Sequence, residues 1–232
     1  MDKYVLIVAG GKGLRMGGEL PKQFIPMRGK PLLMHTLEAF HRWDASARII
    51  LVLPEDHQPY WNMLCKEIGC KVPHAIVKGG DTRFFSVKNG LDWLLAERRR
   101  KGEEDSGLSL VAVHDGVRPF VSPEVVEACF DKAAVTGAVI PVVPMIDSLR
   151  ETDEKGSHPV DRSRYMAVQT PQVFHLELLT KAYEQPYSSL FTDDASVVEA
   201  MGHAIDTVPG DRENIKITTP FDLLIAEAMF AR

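Results

Sequence analysis

The chain has few cysteines, no long apolar run and no surplus of positive charge, and each shortage argues against a class of protein. Its 232 residues carry three cysteines, Cys65, Cys70 and Cys129, an odd count with neither C-x-x-C spacing nor a matching histidine pattern. Such a set speaks against a disulfide framework and a structural zinc site, and the expectation is free thiols in a reducing cytoplasm. No stretch approaches the roughly 18 apolar residues of a membrane span, and the apolar run at 4–9 is too short for a secretory signal, so a soluble, unprocessed chain is expected. With a formal net charge of -5, nothing global points to nucleic acid or an anionic membrane, and any anion site must be local. Motifs are missing too. The glycines after residue 9 lack the third glycine of G-x-G-x-x-G and the Lys-Ser/Thr close of a Walker loop, and there is no G-x-S-x-G elbow for a serine hydrolase.

What the chain does contain is a rhythm. "KYVLIV" (3–8), "RIILVL" (48–53) and "SLVAVHD" (109–115) are short apolar runs rich in Val and Ile, with weaker relatives at 71–78 and 138–144. Runs without polar alternation read as strands buried on both faces, as in a parallel sheet covered by helices. Helical stretches at 31–42, 57–68, 82–100 and 123–135 lie between them. Ser122-Pro123, Thr192-Asp193 and Thr219-Pro220 mark helix starts, and Gly202 marks the end of the helix that Thr192-Asp193 opens. The expected fold class is α/β, a Rossmann-like three-layer α/β/α sandwich with a mostly parallel sheet, forming one domain over 1–232. Residues 98–107, "RRRKGEEDSG", read as a solvated charged loop. Residues 145–172 break the rhythm around a polar "DEKGS" and read as a protruding β-arm. A two-stranded ribbon is barely stable alone in water, so a second copy of the chain is the economical support.

The first strand runs into Gly10, Gly11 and Gly13, and residues 10–30 hold five Lys or Arg against one acid, Glu19. Open α/β sheets bind ligands at the carboxyl edge, and glycines there let successive N–H groups approach phosphate oxygens. Arg15 offers a planar fork and Lys22 a compact charge, suited to bracing a polyphosphate; a solvated basic loop is the competing account. Asp115 ends the strand at 109–115, where a carboxylate suits a magnesium ion bridging phosphates, or simply an Asp115-Gly116 turn. Arg118 follows, and His114 is expected to be structural. Gly79 and Gly80 precede Asp81, with Ser86 a turn further on. Backbone and hydroxyl there could meet a flat base, or Asp81 could only cap a helix. Lys216, behind Asp211, Glu213 and Asn214, could return a positive charge to the same edge or belong to a charged surface turn. "TDDAS" (192–196) reads as a helix cap rather than a metal site.

Taken together, "AGGKGLRM", "PKQF", "GGDTRFFSV", "HDGVRPF", "VDRSRY", "TPQ" and "NIKIT" resemble the 2-C-methyl-D-erythritol 4-phosphate cytidylyltransferase family of the non-mevalonate isoprenoid pathway, and also its sister, the ribitol 5-phosphate cytidylyltransferases. The resemblance spans the whole chain. It implies transfer of CMP from CTP to a polyol phosphate with release of pyrophosphate, a divalent cation, a cytoplasmic location and a homodimer joined by arms. By the same resemblance, Ala9, Gly10, Gly11, Arg15 and Lys22 would hold the CTP phosphates and the start of the nucleotide. Gly80, Asp81 and Ser86 would read the cytosine, and Gly116 would also lie against the nucleotide. Asp115 would bind magnesium, Arg118 and Lys216 would gather around the sugar phosphate or the reacting phosphates, and Thr170 would line the pocket. Ser148 and Arg162, on the arm, would reach the polyol phosphate in the neighbouring subunit. The family usually carries Thr where this chain has Ser148, and often a second Ala at Gly10. The alternatives kept open are ribitol 5-phosphate as acceptor, a sugar 1-phosphate nucleotidyltransferase using another NTP, and an inactive nucleotide-binding sensor.

Overall fold

The structure is a computed structural model that describes residues 1–10, 20–103 and 107–231. Its strands are β1 (Asp2–Val8), β2 (Pro26–Met27), β3 (Lys30–Pro31), β4 (Arg48–Leu53), β5 (His74–Lys78), β6 (Ser109–Asp115), β7 (Ala138–Pro144), β8 (Arg150–Asp153), β9 (Gly156–Pro159), β10 (Met166–Val168), β11 (Gln172–His175) and β12 (Asp206–Pro209). Its helices are α1 (Leu32–Trp43), α2 (Gln58–Ile68), α3 (Arg83–Lys101), α4 (Pro123–Thr136), α5 (Leu176–Ala182), α6 (Asp194–Glu199) and α7 (Pro220–Phe230).

The central sheet follows the order β10-β7-β11-β6-β1-β4-β5, with β12 also paired to β7. β6, β1, β4 and β5 are mutually parallel, and β12 is parallel to β7. β10 and β11 run antiparallel along successive stretches of β7. The apolar runs of the sequence become strands because both faces are covered. Along β1, Val5 and Ile7 join a core with α1, α2 and α4 through Leu37, Phe40, Trp61 and Phe130. Tyr4 and Leu6 face the other way, into a core with α3, α5 and α6 built on Phe84, Leu91, Leu179 and Val198. Successive strand residues point to opposite faces, so one strand serves two cores, and the three-layer sandwich expected from the sequence is what forms.

Three start signals hold. Ser122 caps α4, and Asp193 and Thr219 form capping boxes on α6 and α7. β5 begins only at His74, three residues later than its apolar run, because Pro73 has no N–H for the ladder. α6 stops at Glu199, and Gly202 closes the turn beyond it by donating to the Glu199 carbonyl.

Two expectations need correction. Residues 98–101 are helical, and Arg98, 5% exposed, is no solvated loop residue. Its guanidinium donates to Asp2, to the Tyr4 hydroxyl and Ser109 Oγ at 2.5 and 2.9 Å, and to the Glu103 carbonyl at 2.7 Å. A single turn of α3 therefore ties β1 to β6. The arm is also shorter than 145–172. Its ribbon is the fully exposed β8–β9 hairpin, and by Met166 the chain has rejoined the body, because the apolar "MAV" pairs with β7. Among the described residues no helix is long and apolar enough to cross a membrane.

Candidate active site

The carboxyl ends of β1, β4, β5 and β6 open into a cleft of about 810 Å³. Its walls include Ala9 and Gly10 after β1, Asp56 and His57 after β4, Gly79 to Arg83 after β5, Ser86 on α3, Asp115 at the end of β6, and Lys22 and Lys216 from distant parts of the chain. Parallel strands deliver several chain ends to one edge, which is why residues 200 positions apart meet here.

Lys22 is held by its neighbours in the sequence. It opens a 3-10 turn, Lys22–Phe24. Gln23, 1% exposed, donates its amide to the Ala9 carbonyl at 3.0 Å and lies 3.1 Å from His57 Nδ1. Phe24 packs edge-on to His57 and Tyr60 and stacks on Trp61. "PKQF" is thus a clamp: two residues grip the body so that the lysine before them faces the cleft.

Lys216 is placed by backbone contacts. Ile217 N donates to the Val117 carbonyl at 3.0 Å, and Asn214, fully buried, donates its side chain to the Thr170 carbonyl at 2.8 Å. Between these anchors, Lys216 Nζ reaches Asp115 Oδ2 at 2.9 Å. Arg118 Nε lies 3.3 Å from the same oxygen, and Arg83 Nε lies 4.0 Å from Oδ1. Burial by itself would raise the Asp115 pKa. Lys216, Arg83 and Arg118 outweigh it and hold the carboxyl well below the usual carboxylate range. Asp115 and the Asp194 that pairs with Arg83 stand against these three cations, which leaves one positive charge in excess around Asp115 for a polyanion.

Behind the floor, His114 is buried, and burial lowers its pKa to about 4. Asp115 N donates to Thr170 Oγ1 at 3.1 Å, the Thr170 hydroxyl lies 3.0 Å from His114 Nδ1, and His114 Nε2 lies 3.0 Å from the Arg118 carbonyl. These partners assign a neutral imidazole protonated on Nε2, accepting from Thr170 and donating to Arg118. The relay fixes the turn that carries Asp115 and Arg118, in keeping with a structural role for His114.

The loop after β5 wraps around one hydroxyl. Ser86, 3% exposed, accepts from Gly80 N at 3.1 Å and donates to the Thr82 carbonyl at 2.9 Å. A Cβ on Gly80 would lie 2.4 Å from that of Phe85 and 2.9 Å from its backbone carbon, so only glycine lets the loop close this tightly. Asp81 is exposed and does not cap α3. That cap is Thr82, whose Oγ1 accepts from Phe85 N at 3.4 Å.

Of the residues singled out in the sequence, Ala9, Gly10, Lys22, Gly80, Asp81, Ser86, Asp115 and Lys216 share the cleft wall. Gly11 and Arg15 lie outside the described residues. Three others stand behind the wall. Gly116 spends its backbone internally, on Val8 and Thr36. Arg118 points at Asp115 and at the Asn214 carbonyl, 2.6 Å away. Thr170, 5% exposed, supports Asp115 instead of lining the cleft, because its hydroxyl is taken by the relay. Ser148 and Arg162 are exposed and line no part of this cleft; Arg162 donates to the Ile146 carbonyl at the root of the arm.

Arg83 also lies on this wall, although nothing next to it in the sequence marks it as a site residue. It is the first residue of α3, at the positive end of the helix dipole, an unfavourable place for a cation without a partner. That partner is Asp194, 0% exposed, which accepts from both guanidinium nitrogens at 2.8 and 2.6 Å and from Tyr183 Oη at 2.6 Å. An arginine opening one helix and a doubled aspartate opening another are the signal that could have revealed the pair.

Among the described residues no group of three or more His, Cys, Asp or Glu converges as a metal site. A single buried carboxylate suits magnesium, which keeps several waters and takes its other oxygens from substrate phosphates. Chemically, the cleft can hold a polyphosphate between Lys22 and Lys216 and a flat ring against the β5 loop.

Comparison with known proteins places the chain in a family. A profile of the family described as 2-C-methyl-D-erythritol 4-phosphate cytidylyltransferase matches residues 4–232. A protein of that name from Bacteroides fragilis is 56% identical over 99% of this chain and 100% of its own length. The Porphyromonas gingivalis protein of the same name is 51% identical, covering 98% of this chain and 97% of its own. Among solved structures, the Thermus thermophilus cytidylyltransferase of that name is similar with a TM-score of 0.74 and 32% identity, both chains being covered completely. By these matches this chain belongs to the 2-C-methyl-D-erythritol 4-phosphate cytidylyltransferase family.

Proposed function

We propose that the chain transfers CMP from CTP to 2-C-methyl-D-erythritol 4-phosphate and releases pyrophosphate. The observation that carries the reading is the convergence of Lys22, Lys216 and the Ala9-Gly10 backbone beside Asp115, with the tight Gly79–Thr82 loop at the other end of one cleft. The reaction brings a dianionic phosphomonoester against the α-phosphorus of a triphosphate. A bond forms from the acceptor oxygen to that phosphorus, and the bond to the bridging oxygen of pyrophosphate breaks. No side chain becomes covalently attached, so catalysis consists of cancelling repulsion and fixing the line of attack.

Lys22 approaches from the β1 side and Lys216 from the β6 side, so charge gathering on the departing pyrophosphate is met from two directions. Lys216 leaves Asp115 for phosphate when the nucleotide binds, which leaves Oδ2 with Arg118 alone and one lone pair open. Asp115 would hold the divalent cation, whose role is to neutralise the phosphates. Arg83 and Arg118 keep Asp115 ionised, and Asp194 keeps Arg83 in place. Gly80 and Asp81 meet the base edge, with Ser86 holding their loop in shape. Positioning two bound reactants in line could supply roughly 7–11 kcal/mol of the barrier at best.

The arm completes the reading. β8–β9 is exposed throughout, which supports a homodimer in which Ser148 and Arg162 of one protomer reach the acceptor phosphate held by the other. The experiment is to incubate protein, CTP and magnesium with 2-C-methyl-D-erythritol 4-phosphate or ribitol 5-phosphate and follow pyrophosphate. Release with the first acceptor at a much higher kcat/KM is expected. Preference for ribitol 5-phosphate would reassign the acceptor, and no release with either would sink the activity.

A further inference from the structure

Far along α2 from the cleft, its last turn brings two thiols together. Gly69, at φ +75°, adopts the left-handed conformation that ends α2, and the next residue, Cys70, donates its backbone N–H to the Cys65 carbonyl at 2.9 Å. This six-to-one bond folds the chain back so that the side chain just past the helix meets the one a turn inside it. In most helices that contact is hydrophobic. Here both members are cysteines, so the turn sets two thiols side by side.

Both side chains are partly exposed, each with one side against the core and the other open to solvent. The two sulfurs are not equivalent. The Cys65 thiol and the Val72 N–H, working against burial, hold Cys70 below the ordinary thiol value, while Cys65, donating to Cys70, is pushed up. One is the better nucleophile and the other the waiting thiol, which is the arrangement of an attacking and a resolving cysteine. Cys129 differs from both: it is buried, and burial raises its thiol to about 12.

We propose that Cys65 and Cys70 form a reversible dithiol–disulfide couple that is oxidised by a low-molecular-weight disulfide such as glutathione disulfide. The Cys70 thiolate attacks one sulfur of the small disulfide, forming a mixed disulfide and releasing one small thiolate. Cys65, losing its proton to solvent, attacks the Cys70 sulfur and releases the second small thiolate. The protein dithiol loses two electrons and two protons, and the small disulfide becomes two thiols. The ring closed this way spans only residues 65–70, so it removes little chain entropy from the unfolded state and remains easily reduced.

The folded protein is equilibrated in glutathione buffers stepped from reducing to oxidising, quenched with acid, unfolded, alkylated and digested with trypsin. Cleavage after Lys66 separates the two cysteines, so the bridge is read as two joined peptides. The joined pair is expected to appear as the buffer becomes oxidising and to vanish with dithiothreitol, while Cys129 stays fully alkylated. Cys65→Ser is expected to stop at the mixed disulfide on Cys70, at least about tenfold more abundant than in the wild type. A wild-type protein that carries a lasting mixed disulfide on Cys70, or that keeps both thiols alkylatable in oxidising buffer, would overturn the proposal, and neither result depends on the variant folding.

Discussion

At the residue scale, the site is a contest between one carboxylate and the cations around it. Lys22 sits on a surface turn and contributes little to stability, and Arg118 and Arg83 still attend the buried Asp115 when Lys216 is removed. Lys22→Ala and Lys216→Ala are expected to lower kcat by at least about a hundredfold while shifting Tm by no more than a few degrees. Steady-state cytidylyl transfer at saturating CTP, beside a thermal melt, measures both, and a variant retaining near wild-type turnover removes that lysine from the chemistry. Gly80→Ala tests the other end of the cleft. Its methyl group would have to displace the Phe85 backbone, so the KM for CTP should rise about tenfold or more with a smaller change in Tm; an unchanged KM would show that this loop does not touch the nucleotide.

At the element scale, α3 does two jobs at its two ends. Its first turn carries Arg83 and Ser86 to the cleft, and its last carries Arg98 into the base of the sheet. Arg98→Leu keeps the bulk but leaves the Tyr4 and Ser109 hydroxyls without their shared partner. A loss of about 2–3 kcal/mol in urea unfolding is expected, with KM for CTP unchanged because the damage lies at the far end of the helix. The strands and long helices were legible because apolar runs and caps act locally: 48–53, 109–115 and 138–144 are strands to the residue. Arg98 was illegible because a run of four cations looks solvated until the strands beneath it are known. Arg83 was hidden for the same reason, since its partner lies 111 positions away.

At the scale of the whole molecule, acid tests the buried histidines. His114 binds no proton in the fold until about pH 4, whereas an unfolded histidine titrates near 6.5. Its contribution is therefore complete above about pH 6.5 and is lost as pH falls towards 4, by up to about 3 kcal/mol. His35 and His74, also lowered by burial, act in the same direction. Asp115, held far below the usual range, gives its contribution up only in stronger acid. Urea midpoints between pH 7 and 4.5 should fall steeply for the wild type and less so for His114→Asn; equal slopes would contradict a neutral, buried imidazole. The proposed homodimer has its own test. Arg162→Ala should raise the KM for the polyol phosphate while leaving that for CTP unchanged. Mixing it with Lys22→Ala should yield mixed dimers holding one site with both native residues, so activity should exceed the mean of the two parents.

The sequence by itself determined the layered α/β fold and the family, because apolar periodicity, helix caps and spaced motifs are written in contiguous residues. Only the tertiary structure decided which of those residues face the cleft and which stand behind it. Thr170, Arg118 and Gly116 belong to the second group because hydrogen bonds formed across 55 to 96 positions claim their polar groups or those of their neighbours. Whether a side chain greets a ligand depends on what else it can bond to, and that is settled only when distant segments pack.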